Sequence, residues 1–374
     1  MRQASEKPRG RAIGLPFPGA PGPHNSITDV PGVAVGVSTL IADGPAQIRT
    51  GVTAIVPRFG DADLSPVWAG YLALNGNGEM TGTHWVEEAG YFCGPILITN
   101  THSVGIVHHA AVRWMIERYR DQFEAMHLWA MPVVAETYDG TLSDINGQHV
   151  TEAHALEALD GAADGPVAEG SVGGGTGMIA YGFKGGTGTS SRIVEPDGIS
   201  GTVAALVQAN HGVREWLTIL GAPVGQRMPA VPIHPRETGS VIVILATDLP
   251  LSSLQLRRIA KRAAIGIGRG GTPGGNNSGD IFLAFSVANP IELPQSGPPT
   301  YGLTMLNDEL LDPVFQACVE CVEEAVVNAM LAGEDTPTFR PPGRVVPALR
   351  PEALLEVMRA YGHAGHSGEG RTSG

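Results

Sequence analysis

A serine in an unusual sequence context is the first candidate for chemistry. Ser240 stands between Gly239 and an unbroken apolar run, in the segment GSVIVILATDLPL. One interpretation is structural, because glycine and serine commonly form the turn that precedes a strand. The other is chemical: a cut between Gly239 and Ser240 would make Ser240 a new amino terminus that could act as a nucleophile. The spacing of these residues alone favours the structural interpretation.

Two glycine-rich stretches, residues 171–192 and 268–280, raise the possibility of phosphate binding. Neither has a Lys-Ser or Lys-Thr pair at the spacing of a P-loop, and neither clearly opens a helix. We therefore expect turns, and backbone that lies close to an active site, in preference to a nucleotide site.

Other familiar catalytic and metal-binding patterns are weak or missing. Cys318 and Cys321 form a CxxC inside a helical pattern with apolar neighbours, which favours ordinary helix packing over redox chemistry. The histidines include no HExxH pattern, so we expect no catalytic metal. No GxSxG segment with a strand before it and a helix after it anchors a Ser-His-Asp triad.

The composition is that of a globular protein. The chain has 374 residues, of which 43% are hydrophobic and 16% charged, and its formal net charge of −13 disfavours a nucleic-acid partner. No apolar stretch is long enough to cross a bilayer, and the amino-terminal segment lacks the apolar region of a secretory signal. Three cysteines do not make a disulfide framework. We expect a cytoplasmic protein without a membrane partner.

Apolar periodicity predicts grouped strands and long helices. The predicted strands are residues 51–59, 94–100, 128–140, 199–212 and 278–289. The predicted helices are residues 103–126, 254–268 and 312–333, the last with Asp312 as its N-cap and Pro313 at the first helical position.

This order of elements favours an α+β fold with two inner sheets covered by helices, because a doubly wound sheet would alternate more regularly. We expect a single catalytic domain over residues 1–374. Residues 1–25 should form an arm or a wrapped segment, and residues 363–374 a flexible tail. The segment that ends at Gly239 is the best candidate for an exposed loop.

Several long segments, in order, together resemble one family. They are NSITDVPGV, NGNGEMTG, ITNTHSVG, AETYDG, VQANHG, GSVIVILATDLPL and PGGNNSGDIFLAFS. In these segments, from about Asn25 to about Pro341, the chain is similar to the self-cleaving L-aminopeptidase/D-esterases and β-peptidyl aminopeptidases. It also resembles the ornithine acetyltransferases, which share the fold and the self-cleavage but use a threonine.

The resemblance implies a fold and a maturation step. The fold is an αββα four-layer sandwich like that of the N-terminal-nucleophile hydrolases, with different connectivity. The precursor would cut itself between Gly239 and Ser240, giving an α chain of residues 1–239 and a β chain of residues 240–374. The small Gly239 would allow the strained turn that an acyl shift needs. Relatives often assemble as tetramers of αβ units, so we expect a homo-oligomer.

The resemblance also assigns a role to each site residue. Ser240 is the nucleophile, and its freed α-amine, with an ordinary pKa of about 7.7–8.0, is one candidate for the base. Ser278 would hydrogen-bond the nucleophile and Asp280 would orient the network, and these two residues are the other candidates for the base. Several relatives carry Glu where this chain has Asp280.

The same resemblance supplies the substrate contacts. Asn210 and Tyr138 would donate hydrogen bonds to the oxyanion, and Glu136 would hold the free ammonium group of the substrate. The implied substrate is a short peptide, amide or ester with a free amino terminus, and the implied reaction needs no metal or organic cofactor. An acyltransferase of the same fold and a non-enzymatic binding protein are the alternatives. The preferred first residue, whether L-α, D-α or β, stays open.

Overall fold

The structure, a computed structural model, describes residues 7–234 and 236–363. Residues 1–6 of the predicted arm and residues 364–374 of the predicted tail lie outside the described residues.

The regular elements follow one another as groups of strands and helices. The strands are β1 (Ala34–Ala42), β2 (Ile48–Val56), β3 (Pro66–Gly76), β4 (Tyr91–Cys93), β5 (Ile96–Asn100), β6 (Val133–Thr137), β7 (Ile179–Ala180), β8 (Phe183–Lys184), β9 (Gly186–Val194), β10 (Gly201–Asn210), β11 (Ser240–Thr247), β12 (Gly279–Ser286), β13 (Thr336–Pro337) and β14 (Val345–Val346). The helices are α1 (Thr83–Ala89), α2 (Val104–Arg118), α3 (Arg120–Ala125), α4 (Glu152–Asp160), α5 (Val224–Arg227), α6 (Ser253–Arg269), α7 (Asp312–Leu331) and α8 (Pro351–Ala360).

Two sheets form the centre of the molecule. The larger has six strands in the order β4-β3-β12-β11-β10-β9, and the smaller has four in the order β1-β2-β5-β6. Within these sheets β11 and β12 run parallel, as do β5 and β6. Helices α6 and α7 cover the larger sheet, and α2 and α4 cover the smaller one. The predicted αββα sandwich is confirmed.

Alternating side chains of β11 show why the layers stack in this way. Ile242 and Ile244 lie in the core between the two sheets, whereas Val243 and Leu245 lie in the core beneath α6 and α7. Successive residues of a strand point to opposite faces, so an unbroken apolar run is what a strand buried on both faces requires. Ser240 has the same alternation as Ile242 and therefore faces the gap between the sheets.

Three details differ from the predictions. The helix predicted over residues 103–126 is divided into α2 and α3 at Tyr119, whose backbone has left helical values (φ −117°, ψ 35°) and whose ring packs edge-to-face on Trp114. Asp312 is the first residue of α7 and does not cap it; Leu311 occupies the N-cap position. Pro313 is consequently the second helical residue and not the first, although it still lies in the first turn, where proline is tolerated.

The third difference concerns the glycine-rich stretch 171–192, where we expected turns. Its second half forms β9, which pairs with β10 in the larger sheet. Small residues serve here because α7 lies very close: a Cβ atom on Gly188 would be 2.0 Å from the carbonyl oxygen of Ala325. The backbone of β9 therefore approaches α7 more closely than a strand with larger side chains could.

The described part of the amino-terminal segment is packed on the domain. Arg11 forms a salt bridge with the buried Glu324 of α7, with 3.0 Å between Nε and Oε2. Leu15 and Phe17 are buried in the core beneath α7. Residues 7–25 therefore wrap around the helix layer.

Within residues 7–234 and 236–363, no helix combines the length and the apolar character needed to span a bilayer.

Gly188→Ala tests the close contact between β9 and α7. We expect the free energy of unfolding to fall by about 1–3 kcal/mol, because the added methyl group must push the helix away. Thermal unfolding of the purified protein measures the change. Gly302→Ala is the matched control, since a Cβ atom there has no neighbour within 4 Å, and an equal loss in both variants would contradict the prediction.

Candidate active site

Ser240 lies where the ends of three neighbouring strands of the larger sheet come together. It is the first residue of β11 and pairs with Asn210, the last residue of the antiparallel β10. On its other side it pairs with Gly279, the first residue of the parallel β12. The Ser240 side chain is only 4% exposed, but it opens into a cavity of about 450 Å³. This cavity is lined by Asn77, Gly78, Glu79, Thr101, Glu136, Tyr138, Thr238, Gly239, Ser240 and Asn277.

Gly239 is required by close packing at the predicted cut site. A Cβ atom on Gly239 would lie 1.8 Å from the carbonyl oxygen of Asn210. The Gly239 backbone is not in the left-handed region. The neighbouring strand therefore explains the glycine at this position, and the strained turn for an acyl shift stays a prediction.

The side-chain amide of Asn210 is held from both ends. Its Nδ2 donates to the carbonyl oxygen of Tyr138 (3.0 Å), and its Oδ1 accepts from the backbone nitrogen of Ile179 (2.8 Å). A carboxamide has two N–H bonds, so one donor is left after the bond to Tyr138. Asn210 is thus a fixed hydrogen-bond donor whose backbone pairs with that of Ser240.

Ser278 and Asp280 form a hydrogen-bonded pair beside the same strand end. The Ser278 hydroxyl donates to Asp280 Oδ1 (2.6 Å), and Asn75 Nδ2 donates to Asp280 Oδ2 (3.2 Å). Burial raises the pKa of Asp280, and these two hydrogen bonds oppose that rise. Because the Ser278 proton is directed to Asp280, its oxygen still has lone pairs that can accept. A bond from Ser240 to Ser278 stays a prediction.

Glu136, on β6 of the smaller sheet, brings a carboxylate to the Ser240 cavity. It is 4% exposed; its Oε1 accepts from the backbone nitrogen of Glu79 (3.0 Å), and its Oε2 accepts from the Thr101 hydroxyl. Burial raises the pKa of Glu136, and the nearby charge of Glu79 adds to the rise. A cation entering this cavity would offset the cost of a buried negative charge.

Tyr138 lies between this cavity and a second one. Its side chain is 44% exposed, and its hydroxyl oxygen lies over Gly140, where a Cβ atom would be only 2.2 Å away. The second cavity, of about 360 Å³, extends under the segment that precedes Ser240 and includes Asn210, Glu237 and Gly239 in its lining. A hydrogen bond from the Tyr138 phenol to an oxyanion stays a prediction.

The structure adds site residues that the sequence analysis does not single out. Asn75 and Glu79 belong to the quoted NGNGEMTG segment, whose alternating glycines were the available signal. Asp139, directly after Tyr138, is buried, accepts a hydrogen bond from Asn100, and has its pKa raised by burial to about 7. No local pattern in the sequence predicts that Asp139 is a buried acid.

His211, next to Asn210, is another buried residue to which the sequence analysis assigns no role. Its ring packs edge-to-face on Tyr181, and burial lowers its pKa to about 4, so it is neutral at physiological pH. Among the described residues neither ring nitrogen has a hydrogen-bond partner. Its fixed ring helps to fill the space behind the strand end that carries Asn210.

The cysteine motif lies away from the candidate site, whereas the second glycine-rich stretch leads into it. Cys318 and Cys321 are buried in α7, and burial raises the pKa of Cys321 to about 12, which keeps this thiol protonated. The stretch 268–280 runs from the end of α6 to the start of β12 and so brings Ser278 and Asp280 to the site. In the part of the chain that the structure describes, no group of three or more His, Cys, Asp or Glu residues could hold a metal ion.

Comparison with known proteins decides the family. The model of peptidase family S58 matches residues 25–341, most of the chain. The chain belongs to peptidase family S58. It is therefore a hydrolase, and the expected family and enzyme class are confirmed.

Characterised relatives cover nearly the whole chain. The β-peptidyl aminopeptidase BapA of Sphingosinicella microcystinivorans is 49% identical over 96% of this chain and 93% of its own length. The solved L-aminopeptidase D-Ala-esterase/amidase of Ochrobactrum anthropi, described as a new variant of the Ntn hydrolase fold, superposes with a TM-score of 0.93 at 56% identity. This match covers 96% of this chain and 100% of that one. A Burkholderia β-aminopeptidase gives a TM-score of 0.87 at 48% identity over 95% and 99% of the two chains.

Proposed function

We propose that the chain is a self-processing serine aminopeptidase that removes the first residue from short peptides, amides or esters. The observation that carries the proposal is one cavity shared by Ser240, the Gly239–Ser240 bond and the buried Glu136. A nucleophile, the bond to be cut and an acid suited to an ammonium group thus lie together. The relatives named above supply the class of substrate.

Self-cleavage activates the nucleophile. The Ser240 hydroxyl oxygen attacks the Gly239 carbonyl carbon, the bond from that carbon to the Ser240 nitrogen breaks, and the nitrogen takes up the hydroxyl proton. Water then hydrolyses the resulting ester, which gives a Gly239 carboxylate, a free Ser240 hydroxyl and a free α-amine. An α-amine with a pKa of about 7.7–8.0 is partly neutral near pH 7.5 and can accept a proton, which an amide nitrogen cannot.

Turnover repeats the same chemistry on a substrate. Ser240 attacks the carbonyl of the first residue, and the free N–H of Asn210 stabilises the oxyanion. The leaving amine or alcohol takes up a proton as it departs, and water hydrolyses the acyl-enzyme. The Ser240 amine is the proposed base, with the Ser278–Asp280 pair next to it in the sheet able to polarise the network.

Glu136 explains why only the first residue would be removed. Its carboxylate is buried and, among the described residues, is held by the Glu79 backbone nitrogen and the Thr101 hydroxyl and not by a salt bridge, so it gains most from a substrate that brings an ammonium group. An internal peptide bond brings no such charge. The oligomer of αβ units and the cytoplasmic location are further predictions from the resemblance and the composition.

Ser240→Ala is the direct test of self-processing. The wild type should yield fragments of residues 1–239 and 240–374, whereas the variant should remain one chain without peptidase activity, because the attacking oxygen is gone. Intact mass spectrometry and sequencing of the smaller fragment's amino terminus measure this. A cut and active Ser240→Ala protein, or an active wild type that remains one chain, would contradict the proposal.

Asn210→Asp and Asn210→Ala test the oxyanion contact. We expect kcat to fall on the order of a hundredfold or more, with a smaller change in KM, because the lost donor acts mainly in the transition state. The Asp variant keeps the size of the side chain and the contact with the Ile179 nitrogen but loses both N–H groups, including the bond to the Tyr138 carbonyl oxygen, so thermal unfolding of both variants is measured to separate loss of the donor from loss of local structure. Equal kcat in wild type and Asp variant would show that the donor lies elsewhere.

Glu136→Gln tests recognition of the ammonium group. The substrates are an amino-acid ester and the matching ester without its amino group. We expect the wild type to prefer the first, and the variant to lose at least about tenfold in kcat/KM for it, with little change for the second. Steady-state rates with both esters measure this. A preference that survives in Glu136→Gln would assign the contact to another residue.

A further inference from the structure

Glu237 makes an unusual set of contacts three positions before Ser240. Its Oε1 accepts from the backbone nitrogen of Gly212 (2.5 Å) and lies 3.4 Å from the Thr272 hydroxyl oxygen. Its Oε2 accepts from the backbone nitrogen of Gly275 (3.1 Å). One side chain of the segment before Ser240 therefore binds two separate loops.

Both loops belong to the strands that flank Ser240. Gly212 follows Asn210 by two residues, at the end of β10. Gly275 precedes Ser278 by three residues, in the loop that leads into β12. Glu237 thus connects the segment to the oxyanion donor on one side and to the Ser278–Asp280 pair on the other.

Glu237 lies very close to the backbone of the second loop. A Cβ atom on Gly275 would lie 2.2 Å from Glu237 Oε2. The carboxylate is also close enough to Asp280 for its charge to add to the rise in the Asp280 pKa that burial causes. The Glu237 carboxylate is therefore seated within the site.

The rest of the segment is held less closely. Val231 is 81% exposed, and Arg344 donates to the carbonyl oxygens of Val231 and Pro232 from the surface. His234 contacts Thr141. Among the described residues of the segment, Glu237 is the side-chain anchor nearest to the Gly239–Ser240 bond.

We propose that Glu237 is a positioning residue for self-cleavage, which holds the Gly239 carbonyl beside Ser240 by binding the Gly212 and Gly275 N–H groups. This inference rests on the proposed self-processing. Glu237 exchanges no proton or electron pair in the step. It fixes the backbone on the amino-terminal side of the bond, where β11 has not yet begun and no sheet pairing holds the chain. Two bonds to different loops restrain it more than one would.

The test follows cleavage of the full-length chain over time. Wild type, Glu237→Gln and Glu237→Ala are synthesised in a cell-free system, and the intact chain and the two fragments are quantified by mass spectrometry. We expect cleavage to slow by about tenfold to a hundredfold in the Ala variant, the size of effect that misplaced reacting groups produce. The Gln variant should be slowed less, because its remaining oxygen can still accept from one loop.

Glu215→Gln is the matched control, because it removes a negative charge from an exposed glutamate and should cleave at the wild-type rate. Thermal unfolding of Ser240→Ala, with and without Glu237→Gln, compares uncut chains and should give similar midpoints. Activity per cleaved chain should fall far less than the cleavage rate.

Each result separates the two hypotheses. A wild type that is never cut overturns self-processing, and the role of Glu237 with it. A wild type that is cut, with both Glu237 variants cut at the same rate, overturns the role of Glu237 alone. A loss of activity per cleaved chain as large as the loss in cleavage rate, or a large drop in the unfolding midpoint, would show general distortion of the site and overturn it too.

Discussion

The candidate site depends on the register of three neighbouring strands. Because β10 is antiparallel to β11 and β12 is parallel to it, the end of β10 and the starts of β11 and β12 meet at one edge, with Asn210, Ser240 and Gly279 in line. A shift of one residue would turn the Ser240 side chain from the gap between the sheets towards the helices. Close packing opposes such a shift, since it would bring a residue with a Cβ atom to the place of Gly239, where that atom would lie 1.8 Å from the carbonyl oxygen of Asn210. Packing of the sandwich therefore determines where the nucleophile points.

The negative charges around the Ser240 cavity favour a cationic substrate. The described residues that line the Ser240 cavity include Glu79 and Glu136 and neither lysine nor arginine. Burial raises the pKa values of Glu136, Asp139 and Asp280, and at Glu136 the nearby His102 partly opposes this rise. A buried carboxylate is stabilised strongly by an incoming ammonium group, because both charges interact in a medium of low polarity. The same field would weaken binding of a substrate whose amine is blocked.

The sequence predicts the strands that are apolar throughout and misses those that are not. Strands β10 and β12 are buried on both faces and contain the unbroken apolar runs VAALV and IFLAF, so the hydrophobic pattern finds them. Strand β9 consists largely of glycine and hydroxyl residues because α7 leaves no room for larger side chains, and no local pattern distinguishes it from a loop. The site shows the same division. Family motifs select Ser240 and Asn210, but the contacts of Glu237 span 25 and 38 positions and depend on how the strands pair.

The position of the proposed cut also explains how the domain could survive it. The larger sheet takes β3, β4, β9 and β10 from the chain before Ser240, and β11 and β12 from the chain after it. A break at Gly239–Ser240 therefore falls just before the first residue of β11 and leaves the pairings β10–β11 and β3–β12 intact. Helix α7 follows the break, yet it is bound by Arg11 and by the buried Arg192 of β9, which both reach Glu324. The interface between the two fragments is thus the core of the sandwich itself, so freeing the Ser240 amine costs none of the contacts that hold Asn210 and Ser278 beside it.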